Sequence, residues 1–88
     1  MKITIITVVY NNLAHITDAI ESVLNQTHKN IEYIVIDGAS SDGTVEAVQR
    51  YSDRISNFIS EEDNGLYDAM NKGISLATGE IIGILNSD

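Results

Sequence analysis

ITIITVV, residues 3–9, is β-branched at every position and carries isoleucine or valine on both of its alternating faces. A strand with one face in water shows a polar residue at every second position. This stretch has no such row. It reads as a central strand of a parallel sheet with helices over both faces, the setting in which near-continuous apolar runs occur.

Outward from that strand the pattern repeats. Asn12 is placed to cap a helix over Leu13 to Thr27, with Leu13, Ile16, Ile20, Val23 and Leu24 on one face. Ile31 to Ile36 reads as a second strand, Asp37 to Gly43 (DGASSDG) as a loop, and Thr44 to Tyr51 as a short helix capped by Asp42 or Thr44. Ile55 to Ser60 is a weaker strand and Glu61 to Gly65 (EEDNG) a polar turn. Leu66, Met70, Ile74 and Ala77 mark the stripe of a third helix, which Gly79 is expected to end in the left-handed conformation. Glu80 to Leu85 is the last strand, apolar enough to expect cover on both faces. The alternation βαβαβαβ over residues 1–88 predicts one α/β domain with a mostly parallel sheet.

Composition narrows the function. With 88 residues the chain makes one small domain of marginal stability. The longest apolar runs, ITIITVVY and IIGIL, fall well short of the ~20 residues that span a bilayer. No cleavable leader is evident, and a cytoplasmic location is expected. There is no cysteine, hence no disulfide or thiolate metal site. A formal charge of −8 argues against a nucleic-acid partner and means that any phosphate-bearing ligand needs a cation or backbone N–H groups. His15 and His28 have no second ligand at metal spacing and read as surface residues.

Ligands of open parallel sheets bind beyond the carboxyl ends of the strands. The residues expected there are Tyr10 and Asn11, Asp37 to Ser41, Glu61 to Gly65, and Asn86 to Asp88. In order and spacing, VVYNN, VIDGASSDGT, NGLYDAMNKGISLATGE and ILNSD together resemble a family 2 glycosyltransferase, over essentially the whole chain. The resemblance implies a Rossmann-like, three-layer GT-A fold, here truncated to the N-terminal nucleotide-sugar-binding portion. It also implies that Asp88 is the first carboxylate of an Asp-x-Asp or Asp-Asp element holding Mg²⁺ or Mn²⁺ on the donor diphosphate. Such hard cations take one or two protein carboxylates together with phosphate oxygens and water. Tyr10, Asn11, Asp37, Asp68 and Lys72 fall at the family's nucleotide-sugar contacts. Where the family has a second aspartate after Asp37, this chain has Gly38.

The resemblance further implies an inverting enzyme with its catalytic base beyond residue 88, in bacterial polysaccharide or cell-envelope glycan assembly, cytoplasmic or peripheral to the inner membrane face. Its donor would be a nucleotide sugar, a uridine one favoured, and its acceptor a glycan or lipid-linked glycan. Weak metal-assisted nucleotide binding, and no transfer by these residues alone, is the expectation. Asp37→Ala should weaken that binding and leave the fold intact. The fourth strand is expected beside the first, as an open edge prone to self-association. Two rivals stand against this reading. One is a nucleotide- or metal-binding module without turnover. The other is a phospho-acceptor domain, which would want an acidic pair where Tyr10 and Asn11 stand.

Overall fold

The computed structural model describes residues 1–26 and 30–86, so Thr27, His28 and Asp88 lie outside the described residues. Along the chain run β1 (Ile3–Val9), α1 (Leu13–Leu24), β2 (Ile31–Asp37), α2 (Thr44–Gln49), a 3₁₀ turn (Ser52–Arg54), β3 (Asn57–Ser60), α3 (Leu66–Leu76) and β4 (Ile81–Asn86). All four strands are parallel, in the order β3-β2-β1-β4. As β1's composition predicts, it is central and has a core on each side. On one face Ile16, Ile20 and Val23 of α1 and Ala47 and Val48 of α2 pack on Val9, Tyr33 and Val35. On the other, Ala69 of α3 packs with Ile6, Val8, Ile34 and Ile36. The result is three layers, helix on sheet on helix.

Three local expectations are corrected. The stripe of α3 that packs is centred on Ala69 and Gly73, whereas Leu66 and Ile74 are exposed. The helix lies so close to β1 that a Cβ on Gly73 would stand 2.6 Å from Cγ2 of Ile6, and only small residues fit that face. Of the expected stripe Met70 and Ala77 do pack against this core, half-buried, while Leu66 and Ile74 lie to its side. Gly79 does not end α3 in the left-handed region, because the C-cap is Ala77 in extended backbone with φ −70°. Its role is close approach to β1. Finally, β4 is exposed along nearly its whole length on both faces, not covered, although its position beside β1 is as expected.

Capping also differs in detail. Asn12 is the N-cap of α1, but its side chain makes no capping bond, and Leu13 N donates instead to Asp42 Oδ2 at 3.1 Å. Asp42 also accepts from Thr44 N at 3.0 Å and from the Thr44 hydroxyl, so one carboxylate serves the starts of both α1 and α2. Gly43, with φ +98°, is the residue that turns the chain into α2.

At the amino edge of the sheet a polar knot joins distant segments. Glu32 accepts from Thr4 Oγ1 at 2.8 Å, from Thr78 N at 2.9 Å and from Thr78 Oγ1 at 3.0 Å. The backbone bond from Thr78, followed by the two hydroxyls and Lys2, outweighs desolvation and holds the Glu32 carboxyl below its ordinary value. A carboxyl depressed on folding contributes stability that is present above its unfolded value, near 4.5, and is lost as pH falls through the lower folded value. Glu32→Gln is therefore expected to be less stable than the parent at pH 7, with the gap closing below about pH 4. Urea midpoints of both proteins across pH 3–7 check this; a gap that does not change with pH would contradict it.

Candidate functional site

Parallel register brings the carboxyl ends of all four strands to one rim. Val9 pairs with Asp37, Asp37 with Ser60, and Val8 with Asn86. Beyond that rim lies a cleft of about 740 Å³ between the β1–α1 loop, the β2–α2 loop and the start of α3. Its walls include Tyr10, Asn11, Gly38, Glu62, Asp63 and Asn86.

Of the residues singled out by sequence, Tyr10 and Asn11 line the cleft and Asp37, Asp68 and Lys72 do not. Tyr10 is 65% exposed and offers a ring face to whatever enters. Asn11, in left-handed backbone with φ +45°, fastens two loops together. Its N–H donates to Ser40 Oγ at 2.8 Å, and its Oδ1 accepts from Ser41 N at 2.8 Å.

Asp37 is the last residue of β2 and is 0% exposed. Its Oδ2 accepts from Ser40 N at 2.9 Å and Ser60 Oγ at 2.8 Å, while Oδ1 accepts from the Ser40 hydroxyl. The carboxylate thus ties β2, β3 and the DGASS loop. In that loop Ala39 takes φ +65°, which costs an alanine about 1 kcal/mol and persists only because the surrounding bonds fix it.

The β3–α3 loop is held from behind. Lys72 Nζ lies 3.2 Å from Glu61 Oε1 and 3.7 Å from Asp68 Oδ2, and donates to Glu62 O at 3.0 Å. Desolvation opposes the ammonium, but the Glu61 bond and the charges of Glu61, Asp68 and Asp63 together raise its pKa. Asp68 accepts from Asn64 N at 2.9 Å, across the first turn of α3. Gly65, at φ +109° and ψ −173°, occupies a region open essentially to glycine alone.

Sequence reasoning placed both EEDNG and Asn86 at the rim but gave no role of their own to Glu62, Asp63 or Asn86, all of which line the cleft. The acidic turn was the available signal. Among the described residues no Lys or Arg lines the cleft, so a bare diphosphate would meet negative charge there. Among the described residues no three His, Cys, Asp or Glu side chains gather to hold a metal ion. A Mg²⁺ or Mn²⁺ shared with phosphate and water needs only one or two carboxylates, so the acidic rim fits such an ion without enclosing it.

A parallel sheet with helices on both faces and its cleft at the carboxyl edge defines an open α/β protein of the kind that binds its ligands beyond the strand ends. The chain belongs to Glycosyl transferase family 2, whose sequence profile it matches over residues 4–88, and its fold is GT-A. It is 37% identical to TuaG of Bacillus subtilis, a glycosyltransferase provisionally assigned to teichuronic acid biosynthesis, over 98% of this chain and 35% of that protein. It is 35% identical to the glycosyltransferase GlyG of Streptococcus pneumoniae, over 98% of this chain and 30% of that one.

Among solved structures, the mannosyltransferase PcManGT from Pyrobaculum calidifontis, in complex with GDP-Man and Mn²⁺, superimposes with a TM-score of 0.90 at 31% identity, covering 99% of this chain and 27% of that one. TarS 1–349 of S. aureus, in complex with UDP-GlcNAc, gives 0.89 at 26% identity, covering 100% of this chain and 27% of that one. The chain therefore spans about a third or less of these relatives. Among the described residues no helix is long and apolar enough to cross a membrane.

Proposed function

We propose that these residues form the nucleotide-sugar-binding part of an inverting, metal-dependent glycosyltransferase that takes a uridine-series donor. By analogy with TuaG, its setting is bacterial polysaccharide or cell-envelope glycan assembly; a cytoplasmic location, peripheral to the inner membrane face, belongs to the same proposal. The observation that carries this is the carboxyl-edge cleft, with its exposed Tyr10 ring and an acidic rim that has no Lys or Arg among the described residues. GDP-Man and Mn²⁺ in PcManGT and UDP-GlcNAc in TarS supply the ligand class by analogy.

In this reading Tyr10 stacks on the nucleobase. Asn11 and Asp37 keep the two first loops at the distance the nucleoside needs, and Asp68 and Lys72 pin the third loop. Asp88, two residues beyond β4 in the sequence, would hold the divalent cation, which would let the acidic chain accept the donor diphosphate. When bound, that cation would neutralise the diphosphate and carry the charge of the departing nucleoside diphosphate. Transfer also needs a base within hydrogen-bond reach of the acceptor hydroxyl, and no residue of the chain is assigned that role.

Thermal unfolding with uridine, guanosine, cytidine and adenosine diphosphates, each with and without Mn²⁺, tests the reading. Ligand at a hundredfold excess over Kd stabilises by about 2.7 kcal/mol, a rise of roughly 10–20 °C for a domain of this size. One nucleotide stabilising selectively, and only with metal, is the expected result. No shift with any of the four at millimolar concentration would overturn it.

The open edge along β4 belongs to the same reading, because unpaired N–H and C=O groups beside Ile81, Ile82 and Ile84 invite another strand. Sedimentation is expected to give a weight that rises with concentration, and a clean monomer at high concentration would refute self-association.

A further inference from the structure

Three times in this chain an Asp or Asn is followed by glycine: Asp37-Gly38, Asp42-Gly43 and Asn64-Gly65. Such pairs are chemical weak points, because a glycine nitrogen, with no side chain beside it and a freely turning backbone, can reach the Cγ of the residue before it. The fold treats the three differently. Asp37 is 0% exposed and accepts from Ser40 N and from the Ser40 and Ser60 hydroxyls. Asp42 accepts from Leu13 N, Thr44 N and the Thr44 hydroxyl. Both carboxylates are held by donors, and a carboxylate is a poor electrophile. Asn64 is a neutral amide on an exposed loop, and its side chain makes no hydrogen bond among the described residues. Nothing stands within 4 Å of a would-be Cβ on Gly65, so a ring has room to form there and water has room to enter. Among the described residues the Gly65 N–H is restrained by one bond, to Asp63 Oδ1 at 3.0 Å.

We propose that Asn64 is a site of spontaneous covalent modification, deamidated through a cyclic imide formed with Gly65 N, and that the Asp63 bond sets its pace. The Gly65 nitrogen gives its proton to a solvent base and bonds to Asn64 Cγ. The Cγ–Nδ2 bond breaks, and Nδ2 takes up a proton and leaves as ammonia. Water then opens the imide. Where it adds at Cγ, the new bond to the Gly65 nitrogen breaks and aspartate results. Where it adds at the main-chain carbonyl carbon, the original peptide bond breaks and the chain continues through the side chain as isoaspartate. The sum is asparagine plus water giving aspartate or isoaspartate plus ammonia, with no oxidant or reductant. Either product adds a negative charge to the EEDNG turn, and isoaspartate also inserts a methylene into the main chain before Gly65.

That insertion falls where the start of α3 is fastened. Gly65 is the N-cap of the helix and its carbonyl accepts from Ala69 N at 3.1 Å, while Asn64 N donates to Asp68 Oδ2 at 2.9 Å. A main chain longer by one carbon cannot keep both bonds, so the first turn of α3 loosens. Gly65 and Leu66 also wall the cleft, and the change is therefore made at the site's own edge.

The test holds the parent chain, Asn64→Gln and Asp63→Ala in mildly alkaline buffer made with heavy-oxygen water and maps their peptides over several days by fragmentation mass spectrometry and isoaspartate methylation. The parent is expected to gain aspartate and isoaspartate carrying one heavy oxygen at residue 64, at least tenfold faster than at any other Asp or Asn, and faster still as pH is raised. In Asn64→Gln the same attack needs a six-membered ring, and residue 64 should stay intact. Asp63→Ala should react at least threefold faster than the parent, because it frees the Gly65 N–H and removes a charge that opposes deprotonation of the nitrogen. The converted parent should melt at a lower temperature than the fresh protein, and Asn64→Gln kept alongside it should not change. Four results would overturn the proposal: no product at residue 64; a faster reaction at Asp37, Asp42 or another asparagine; an Asp63→Ala variant that reacts no faster than the parent; or a fully converted chain that melts like the fresh one.

Discussion

Asp37→Ala is expected to lower the stability of the chain by about 3–5 kcal/mol, and to weaken nucleotide binding only as a consequence. The carboxylate is 0% exposed and accepts from Ser40 N, the Ser40 hydroxyl and the Ser60 hydroxyl. Truncation removes three hydrogen bonds to a buried charged acceptor, each worth about 1.5–3 kcal/mol before water partly replaces them at the half-buried Ser40 and the exposed Ser60. A domain of this size holds roughly 4–13 kcal/mol in total, so the loss is a large fraction and the melting point should fall by about 15–30 °C. Asp37→Asn is the informative partner, since it keeps the shape and one acceptor oxygen while the Ser40 hydroxyl can turn to accept. Its cost should be about 1 kcal/mol. Urea unfolding of the three proteins checks the order, and an alanine variant with the parent's midpoint would refute it. Burial thus shifts the sequence-based expectation for this substitution from a binding loss in an intact fold to a stability loss first.

That shift illustrates what the sequence could and could not convey. Alternating apolar strands and helices announced the parallel sheet, because β1's composition is unusual for anything but a strand covered on both faces, and β1 is central with a core on either side. Which rim residues face the cleft was legible for Tyr10 and Asn11, which follow β1 directly. It was not legible for Lys72 and Asp68. A cation near a proposed phosphate site suggests a phosphate partner, but Lys72 is closer to Glu61 and to the carbonyl of Glu62, and it holds the loop rather than the cleft. Asp63 was missed for the opposite reason. Its place beside the cleft depends on the emptiness at Gly38, a neighbour 25 residues earlier in the chain, and the absence of a side chain leaves no pattern to read.

Gly79→Ala is expected to destabilise by about 3–4 kcal/mol, although the residue lies in an ordinary backbone conformation. A Cβ there would stand 2.5 Å from Thr4 Oγ1, 2.8 Å from Thr4 N and 3.0 Å from Lys2 O. Two of those three atoms are backbone of β1 and its lead-in, so no rotamer change relieves the clash. The α3–β4 connection must instead move away from β1. That movement stretches Gly79 N to Thr4 Oγ1, 2.9 Å, and Glu80 N to Lys2 O, 2.9 Å, and it pulls Thr78 from Glu32. Overpacking of this kind costs about 1–3 kcal/mol, and each strained hydrogen bond adds roughly 1 kcal/mol.

Two other glycines calibrate the effect. Gly73→Ala meets only the side chain of Ile6, the nearest atom at 2.6 Å, and gains about 1 kcal/mol of helix propensity, so its net cost should be smaller. Gly83, within β4, has nothing within 4 Å of its would-be Cβ. Its replacement by alanine should be neutral or stabilising by about 0.5 kcal/mol, since glycine weakens a strand interior. Urea midpoints of the three variants should therefore fall in the order Gly83→Ala, Gly73→Ala, Gly79→Ala. If Gly79→Ala unfolds with the same midpoint as Gly83→Ala, the connection is free to lift from β1, and the contact with Thr4 does not set the entry of β4 into the sheet.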